Sequence, residues 1–300
     1  MNEFHKSVLL QDSVDGLNIN PQGIYVDVTF GGGGHSKEII KNLNTGKLIA
    51  FDQDKEAIKN EIIDKNKFMI FNKNFKYLKK ELSSINISAI DGLIADLGVS
   101  AYHFTNNKRG FSLKYDANLD MRMDQNLGKT AYDIINKYNH NNLARIFKEH
   151  ADFKNPNFIV DAIIDFRNKK TIQTTFDLKK VFHNNSFGNK DNKFFARIFQ
   201  AIRIELNDEI NVLKDLLNQS LDLLKPSGRL VVISYHSVED KIVKSFMKYG
   251  NFSSSPEKDF FGNIFSPFKL ITKKPITPSI IEINQNNKSR SAKLRICEKI

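Results

Sequence analysis

Cysteine is almost absent from this sequence, since Cys297 is the single one among 300 residues. One cysteine excludes an internal disulfide and a cysteine-based metal site, and no metal-ligand cluster stands out elsewhere. Long apolar runs are also missing, because no stretch reaches the roughly 18 residues that a membrane-spanning helix needs. The first six residues lack the charged start and apolar core of a secretory signal. These absences favour a cytoplasmic enzyme that binds no membrane.

Acidic residues are outnumbered, with 34 Asp and Glu against 45 Lys and Arg and a formal net charge of +11. Such an excess favours a polyanionic partner, because each cation placed near a phosphate releases a condensed counterion. The alternative is that lysine is simply abundant in this sequence. The distribution favours a partner, since the segment from Lys269 to Ile300 has eight Lys or Arg and two Glu.

The first third of the chain alternates short apolar runs with helical patterns. This alternation predicts βα units around a parallel sheet. The expected strands are residues 23–28, 47–52, 67–71 and 91–96.

Alternation stops between residues 106 and 193, where helical patterns and Asn-rich breaks predict a helical insertion. It resumes with one long amphipathic helix, whose apolar residues from Phe195 to Leu221 share a face. Residues 229–234 are expected to form a fifth strand. The tail is expected to add a closing antiparallel pair around residues 270–272 and 294–296.

A glycine-rich turn, Phe30-Gly31-Gly32-Gly33-Gly34-His35, follows the first predicted strand and leads into a helix. Glycine lets the backbone approach a ligand closely, and a helix N-terminus offers free N–H groups. Asp52 ends the second strand, 21 residues after Gly31, where a carboxylate can accept hydrogen bonds from both ribose hydroxyls. Open α/β sheets bind ligands at this edge, so the combination predicts a nucleoside ligand.

Single positions exclude two common nucleotide sites. A dinucleotide fingerprint that starts at Gly31 needs a third glycine where this chain has Ser36, and the Gly-Lys-Ser/Thr of a P-loop is missing. Asp27, Asp52 and Asp96 are expected at strand ends, where they would form an acidic rim that repels a pyrophosphate. Such a rim suits S-adenosylmethionine, which carries a ribose, an ammonium and a sulfonium. Each acid alone has a plainer explanation as a turn former or helix cap.

Several short blocks along the chain share their residues with one known family. They are residues 5–10, 27–36, 51–54, 91–100, 109–112, 120–124, 199–207, 233–240 and 289–295. Through these blocks, which occur in the family's order, nearly the whole chain resembles the bacterial 16S ribosomal RNA cytosine-N4 methyltransferase family, the RsmH/MraW type.

The resemblance implies an α/β fold: a class I S-adenosylmethionine methyltransferase core, Rossmann-like, with an inserted helical domain. With the break in alternation, it places the core in residues 1–105 and 194–300, and the insertion, as the substrate-recognition domain, in residues 106–193. It implies methylation of the exocyclic N4 of a cytidine at the decoding centre, with 16S rRNA in the small ribosomal subunit as partner. The oligomeric state stays open, with a homodimer as one option.

By resemblance, cofactor contacts fall on a set of residues near the strand ends. These are Gly33, Gly34, His35, Asp52, Phe75, Asp96 and His103. His103 departs from the family, which usually has Gln there, although a histidine can donate or accept one bond at each ring nitrogen.

Methyl transfer to an amine of cytosine needs an acceptor for the amine protons, because the nitrogen lone pair is delocalised into the ring. Holding the amine in line with the methyl group supplies much of the rate. Asp96 is the first candidate acceptor and His236 the second, although His236 could equally cap the following helix. Four aromatic residues are candidates for stacking on an extruded base: Tyr102, Phe104, Phe111 and Tyr235. Each of them could instead be a core residue.

Basic side chains are the expected phosphate contacts, and six are candidates: Arg109, Arg122, Arg203, Arg290, Lys293 and Arg295. Charge runs are often solvated surface with no partner, and Asp120 and Asp124 could instead pair with Arg122 as a scaffold. Two rival functions remain. One is a methyltransferase with another RNA, DNA or protein acceptor. The other is a non-catalytic RNA-binding module, which leaves the strand-end acids unexplained.

Overall fold

A computed structural model describes residues 7–59, 64, 66–98, 108–182, 192–253, 260–262 and 266–300. The strands of these residues are β1 (Ile24–Asp27), β2 (Lys47–Phe51), β3 (Phe68–Phe71), β4 (Ile90–Asp96), β5 (Leu224–Ser234), β6 (Phe268–Leu270) and β7 (Lys293–Lys299).

These strands form one sheet in the order β3-β2-β1-β4-β5-β7-β6. Strands β1 to β5 pair in parallel, and β7 runs antiparallel between β5 and β6. The strand order reverses between β1 and β4, which is where open α/β sheets bind their ligands. This arrangement confirms the α/β class I core and the antiparallel closing pair that the sequence predicted.

The helices are α1 (Leu10–Gly16), α2 (Gly34–Lys41), α3 (Lys55–Ile58), α4 (Leu78–Ser84), α5 (Ala131–Lys137), α6 (His140–Ala151), α7 (Asn157–Lys169), α8 (Thr175–Lys180), α9 (Asn192–Asn207), α10 (Glu209–Leu223), α11 (Ser237–Tyr249) and α12 (Ile280–Gln285). Short 3₁₀ turns occupy Phe75–Tyr77 and Asn287–Ser291. Within the described residues, no helix combines the length and apolar character needed to cross a membrane.

The sheet is buried on both faces, as the apolar runs of its strands require. In β2, Leu48 and Ala50 belong to one apolar cluster, whereas Ile49 and Phe51 belong to another. Successive side chains of a strand point to opposite faces, so the two clusters lie on the two sides of the sheet. Side chains of α10 and α11 complete one cluster, and those of α1 and α2 complete the other.

The chain divides into two compact units, Met1–Gly98 with Asn211–Ile300 and Val99–Ile210. The second unit has its own apolar core, built from α5 to α9 and including Phe147, Ile163 and Ile202. The first unit resumes at residue 211. The sequence had predicted that it would resume at residue 194.

A break in a helix explains that difference. The single helix predicted from Phe195 to Leu221 is two helices, α9 and α10, separated at Asp208. Asp208 has a φ of 53°, a left-handed conformation that ends an α-helix. The apolar face of α9 packs into the core of the second unit, whereas Leu213 and Leu217 of α10 pack in the first.

Candidate active site

Four parallel strands end at one edge of the first unit, and polar residues stand at each end. Asp27 closes β1 and Asp96 closes β4, while Asp52 directly follows β2. Tyr235 and His236 directly follow β5. This is the carboxyl edge at the reversal of strand order, where the sequence predicted the cofactor.

The glycine-rich turn after β1 is held in place by Asp52. Gly31 and Gly33 have φ values of 52° and 74°, which favour glycine over residues with a side chain. The amide of Gly31 donates to Oδ2 of Asp52 over 2.8 Å. Gly34 opens α2, and the side chain of Ser7 occupies the space that a Cβ at position 34 would need. The turn therefore depends on glycine for both its conformation and its packing.

Asp52 also binds the backbone of its own loop, since its Oδ1 accepts from the amide of Asp54 over 2.8 Å. A carboxylate has about four acceptor positions, so one carboxylate can accept from backbone amides and from ligand hydroxyls. Gly32, beside it, has no protein atom within 4 Å of its Cβ direction. An open glycine backbone next to a partly exposed strand-end carboxylate fits the ribose and amino-acid portions of S-adenosylmethionine.

Phe75 lies on the loop after β3, and that loop is bound to the Asp52 loop. The side-chain amide of Asn72 donates to the main-chain oxygen of Asp52 over 2.9 Å, and that of Asn74 donates to Gln53 over 2.7 Å. The Phe75 ring is partly buried against the apolar cluster below the sheet. Two adjacent loops thus place the Asp52 carboxylate and the Phe75 ring close together. This arrangement suits a ribose bound by the carboxylate and an attached purine bound by the ring.

Asp27 does not belong to an acidic rim, because only 2% of it is exposed. The Ser36 hydroxyl donates to its Oδ2 over 2.7 Å, and the Thr29 amide donates to its Oδ1 over 3.0 Å. Burial raises the pKa of Asp27, while the Ser36 and Thr29 hydrogen bonds lower it. Asp27 therefore anchors the glycine turn to α2, and Ser36, which excluded a dinucleotide fingerprint, is its partner.

Asp96, unlike Asp27, is a strand-end acid whose side chain is partly exposed. Its side chain is 23% exposed, and the Tyr235 hydroxyl donates to its Oδ1 over 2.7 Å. Burial raises the pKa of Asp96 to about 6, although the charge of His35 and the Tyr235 hydrogen bond act in the opposite direction. Gly98, with a φ of 129°, leaves room for the Tyr235 ring, which a Cβ at position 98 would approach to 3.0 Å.

His35 connects Asp96 to the N-terminal segment. Its Nε2 lies 3.1 Å from the main-chain oxygen of Val8, and a carbonyl only accepts, so Nε2 carries the proton of that bond. Its Nδ1 then faces Oδ2 of Asp96 at 3.9 Å. The next residue of the segment, Leu9, donates its amide to Glu282 of α12 over 2.8 Å. Segments from both ends of the chain therefore support the site.

His236 is the N-cap of α11. Its Nδ1 accepts from the Glu239 amide over 3.3 Å, and its Nε2 lies 3.1 Å from Oε1 of Glu239. Glu239 in turn accepts from the His236 amide over 3.4 Å, which completes a capping box. Of the two interpretations that the sequence left open for His236, this geometry is that of the cap.

The candidate stacking aromatics divide into three groups. Tyr102, Phe104 and the cofactor candidate His103 lie outside the described residues. Phe111 is 5% exposed and belongs to the core of the second unit. Tyr235 is partly buried and its hydroxyl is bonded to Asp96. Phe111 is therefore a core residue, and sequence analysis missed the bond between Tyr235 and Asp96.

Three of the six basic candidates are structural in the second unit. Arg109 is 6% exposed and donates to the main-chain oxygen of Arg122 over 2.7 Å. Arg122 forms a two-point ion pair with Asp120, with bonds of 2.9 and 2.8 Å. Arg203 forms a similar pair with Glu209 at 2.8 and 2.9 Å. These guanidinium groups therefore stabilise the fold of the second unit. For Arg122, this is the ion-paired scaffold that the sequence offered as an alternative to a phosphate contact.

The remaining three lie in the first unit. Arg295 is 7% exposed and binds Asp240 through Nε at 2.7 Å. Lys293 reaches the same carboxylate at 3.1 Å but is 41% exposed. Arg290 is exposed on the 3₁₀ turn before β7. Lys293 and Arg290 are thus the candidates whose charge is accessible to a ligand.

A parallel sheet with a reversal of strand order, a glycine turn and a carboxylate directly after β2 are typical of an α/β methyltransferase with a nucleoside methyl donor. The family model described as the MraW methylase family matches residues 2–300. The chain therefore belongs to the MraW methylase family, which confirms the methyltransferase class and S-adenosylmethionine as its cofactor.

Individual relatives match over their full length. The protein named ribosomal RNA small subunit methyltransferase H of Flavobacterium johnsoniae is 50% identical over 299 residues, which cover 99% of this chain and 98% of that protein. Its counterpart in Flavobacterium psychrophilum is 52% identical, covering 97% of this chain and 100% of that protein. The counterpart in Cytophaga hutchinsonii is 48% identical, with 99% of each chain covered.

Proposed function

We propose that this chain transfers the methyl group of S-adenosylmethionine to the exocyclic N4 of a cytidine in 16S rRNA, at the decoding centre of the small ribosomal subunit. The relatives named as ribosomal RNA small subunit methyltransferases support the RNA substrate. The observation that carries the choice of an amine acceptor is the half-buried carboxylate of Asp96, held at the cofactor edge by Tyr235. A substrate in the bacterial ribosome also implies action in the cytoplasm.

S-adenosylmethionine supplies, when bound, an activated methyl group whose sulfonium leaves as a neutral thioether. Asp52 and the backbone of the glycine turn would hold it, with Phe75 beside the purine. His103, outside the described residues, stays a proposed contact.

Asp96 performs the proton chemistry in this proposal. Oδ1 is already occupied by the Tyr235 hydroxyl, so Oδ2 is the oxygen that accepts an N4–H. This bond localises the nitrogen lone pair for attack on the methyl carbon, and the same carboxylate takes the proton that N4 loses when the N–C bond forms. With a pKa of about 6, Asp96 is largely ionised at neutral pH and still basic enough to accept this proton.

The proposal assigns substrate recognition to the helical unit Val99–Ile210. It gives phosphate contacts to Arg290 and Lys293, whose charges are accessible. Because its Nδ1 accepts from the Glu239 amide and its side chain is only 10% exposed, His236 acts in this proposal by capping α11 and not as the proton acceptor.

The test is methyl transfer to small subunits from a strain that lacks this gene, followed by mass spectrometry of the rRNA nucleosides. We expect N4-methylcytidine species to appear with the native enzyme and to be missing with Asp96→Asn, which should still bind S-adenosylmethionine in calorimetry. A methyl group on another nucleoside, or on protein, would overturn the choice of acceptor. Equal turnover by Asp96→Asn would overturn the role of Asp96.

A further inference from the structure

A basic groove lies on the first unit, where α11 meets the segment after β6. Its volume is about 150 Å³, and Lys244, Lys248, Lys273 and Arg295 line it around Met247 and Leu270. These residues come from α11, β6, β7 and the segment after β6, so secondary-structure elements at the sheet edge form the groove. Thr272 fixes that segment, because its amide donates to the main-chain oxygen of Ile296 over 3.2 Å.

The charge of the groove is only partly neutralised. Arg295 is paired with Asp240. In contrast, Lys244, Lys248 and Lys273 are exposed, and none of them forms an ion pair with another described residue. Lys244 and Lys248 are four residues apart on α11, a spacing at which like charges repel and destabilise a helix. An anion between them and Lys273 would remove this repulsion.

Asp240 connects the groove to the end of β5, where the candidate active site lies. Asp240, in the first turn of α11, holds both Arg295 of the groove and Lys293, whose backbone pairs with Ser234 at the end of β5. At 1.5 Å per residue, Lys244 and Lys248 lie about 12 and 18 Å along the helix axis from the N-cap. These distances suit phosphates that flank a target nucleotide better than the target itself.

We propose that this groove binds the phosphate backbone of the RNA substrate next to the methylated nucleotide. The inference rests on the proposed function, since a nucleic acid is the polyanion that such an enzyme must hold. Lysine ammonium groups bind phosphates as point charges without reading sequence. The apolar floor formed by Met247 and Leu270 gives the sugar edge a surface without competing hydrogen bonds. The groove therefore contributes affinity and register, while the choice of base belongs to the active site.

The test is RNA binding by the triple variant Lys244→Ala, Lys248→Ala, Lys273→Ala. The probe is a fluorescently labelled 16S rRNA fragment that contains the decoding centre, measured by anisotropy over a range of salt concentrations. The matched control removes three exposed lysines elsewhere in the first unit, Lys41, Lys47 and Lys80. A second triple variant with Arg at the groove positions retains the charge.

We expect the Kd of the alanine groove variant to rise at least about tenfold, and its log–log salt slope to fall by about 2, at roughly 0.7 per lost single-strand phosphate contact. The lysine control and the arginine variant should stay within about twofold of the native protein. S-adenosylmethionine affinity and kcat at saturating RNA should not change, because the groove lies beyond the reacting groups.

Groove and control variants with the same Kd and salt slope would overturn the proposal, even if the native enzyme methylates cytidine. Conversely, a native enzyme that binds RNA through the groove but methylates another acceptor would overturn the proposed function alone. The two failures are therefore distinguishable.

Discussion

The Tyr235 hydroxyl and Oδ1 of Asp96 are joined by a hydrogen bond of 2.7 Å that links the ends of β4 and β5. The phenol is itself partly buried, and burial next to Asp96 raises the pKa of Tyr235 far above its ordinary value. Tyr235 therefore stays protonated and is a permanent donor. The bond fixes which oxygen of Asp96 is left for a substrate and how basic that oxygen is.

Replacing Tyr235 with Phe removes a hydrogen bond that lowers the pKa of Asp96. The pKa should then rise above about 6, by one pH unit or so for a bond to a charged group. Because the acceptor is the carboxylate, activity is present above this pKa and is lost as the pH falls through it. We therefore expect the acid limb of the kcat–pH profile to move to higher pH.

Tyr115→Phe is the control for this profile, since Tyr115 is 41% exposed and belongs to the second unit, whereas Asp96 and Tyr235 belong to the first. Its acid limb should coincide with that of the native enzyme. An unmoved limb in Tyr235→Phe would show that Asp96 is not the group that titrates in turnover.

Asp52→Asn should weaken the binding of S-adenosylmethionine while leaving the fold intact. Alanine would also release the amides of Gly31 and Asp54, whereas asparagine keeps one acceptor oxygen for this backbone. Loss of charged hydrogen bonds to a ribose costs about 1.5–3 kcal/mol, or roughly a tenfold to hundredfold rise in Kd. Calorimetry measures the Kd for S-adenosylmethionine. The matched control is Asp222→Asn, since Asp222 is an exposed ion-pair partner of Lys79. Equal affinities in both variants would remove Asp52 from the cofactor site.

Ser36→Ala should lower the free energy of unfolding by about 1–3 kcal/mol, because it removes a donor from a buried carboxylate. The effect has a pH signature. Burial raises the pKa of Asp27 in the folded protein. The contribution of Asp27 to stability is therefore present at pH values below its pKa in the unfolded chain. It is lost as the pH rises through its pKa in the folded protein. The deficit of Ser36→Ala should therefore be larger at neutral than at acidic pH.

Urea unfolding of Ser36→Ala at two pH values checks this expectation. Ser84→Ala is the control, since that hydroxyl is exposed and bonds the oxygen of Glu81 at the end of α4. A deficit that is the same at both pH values would mean that Ser36 does not act through the charge of Asp27.

His236→Ala should lower stability by about 0.5–2 kcal/mol through loss of the cap of α11, whereas His236→Asn should restore it, because asparagine is a strong N-cap. If capping is the function of His236, the asparagine variant also restores methyl transfer. Thermal unfolding and single-turnover rates on the two variants separate the roles. A stable asparagine variant without turnover would show that His236 takes part in methyl transfer itself.

The strands and the edge that holds the site could be predicted from the sequence. Apolar runs buried on both faces leave few alternatives to a parallel sheet, and Asp52 and Asp96 follow such runs. Asp27 follows one too, yet it is buried, because Ser36 on the next helix folds back onto it. Whether a strand-end acid points to solvent depends on that tertiary partner, which strand periodicity does not reveal.

Basic side chains were the least predictable part of the site. Arg109, Arg203 and Arg295 have partners that are close in space, whereas only the charge of each is visible in the sequence. The helix break at Asp208 had a weak signal, because Asn207-Asp208 is a pair whose residues tolerate a left-handed backbone. The apolar period continues across it, which is why one helix was expected.

The bond between the Leu9 amide and Glu282 spans 273 positions of the chain. Synthesis runs from the N-terminus, so residue 9 is made 273 positions before its partner. Until α12 has formed, the segment that carries Val8 has no anchor, and His35 lacks a fixed acceptor for its proton. A nascent chain would therefore possess most of its sheet long before it could orient Asp96, and the enzyme would become competent only after α12 has been made and has folded.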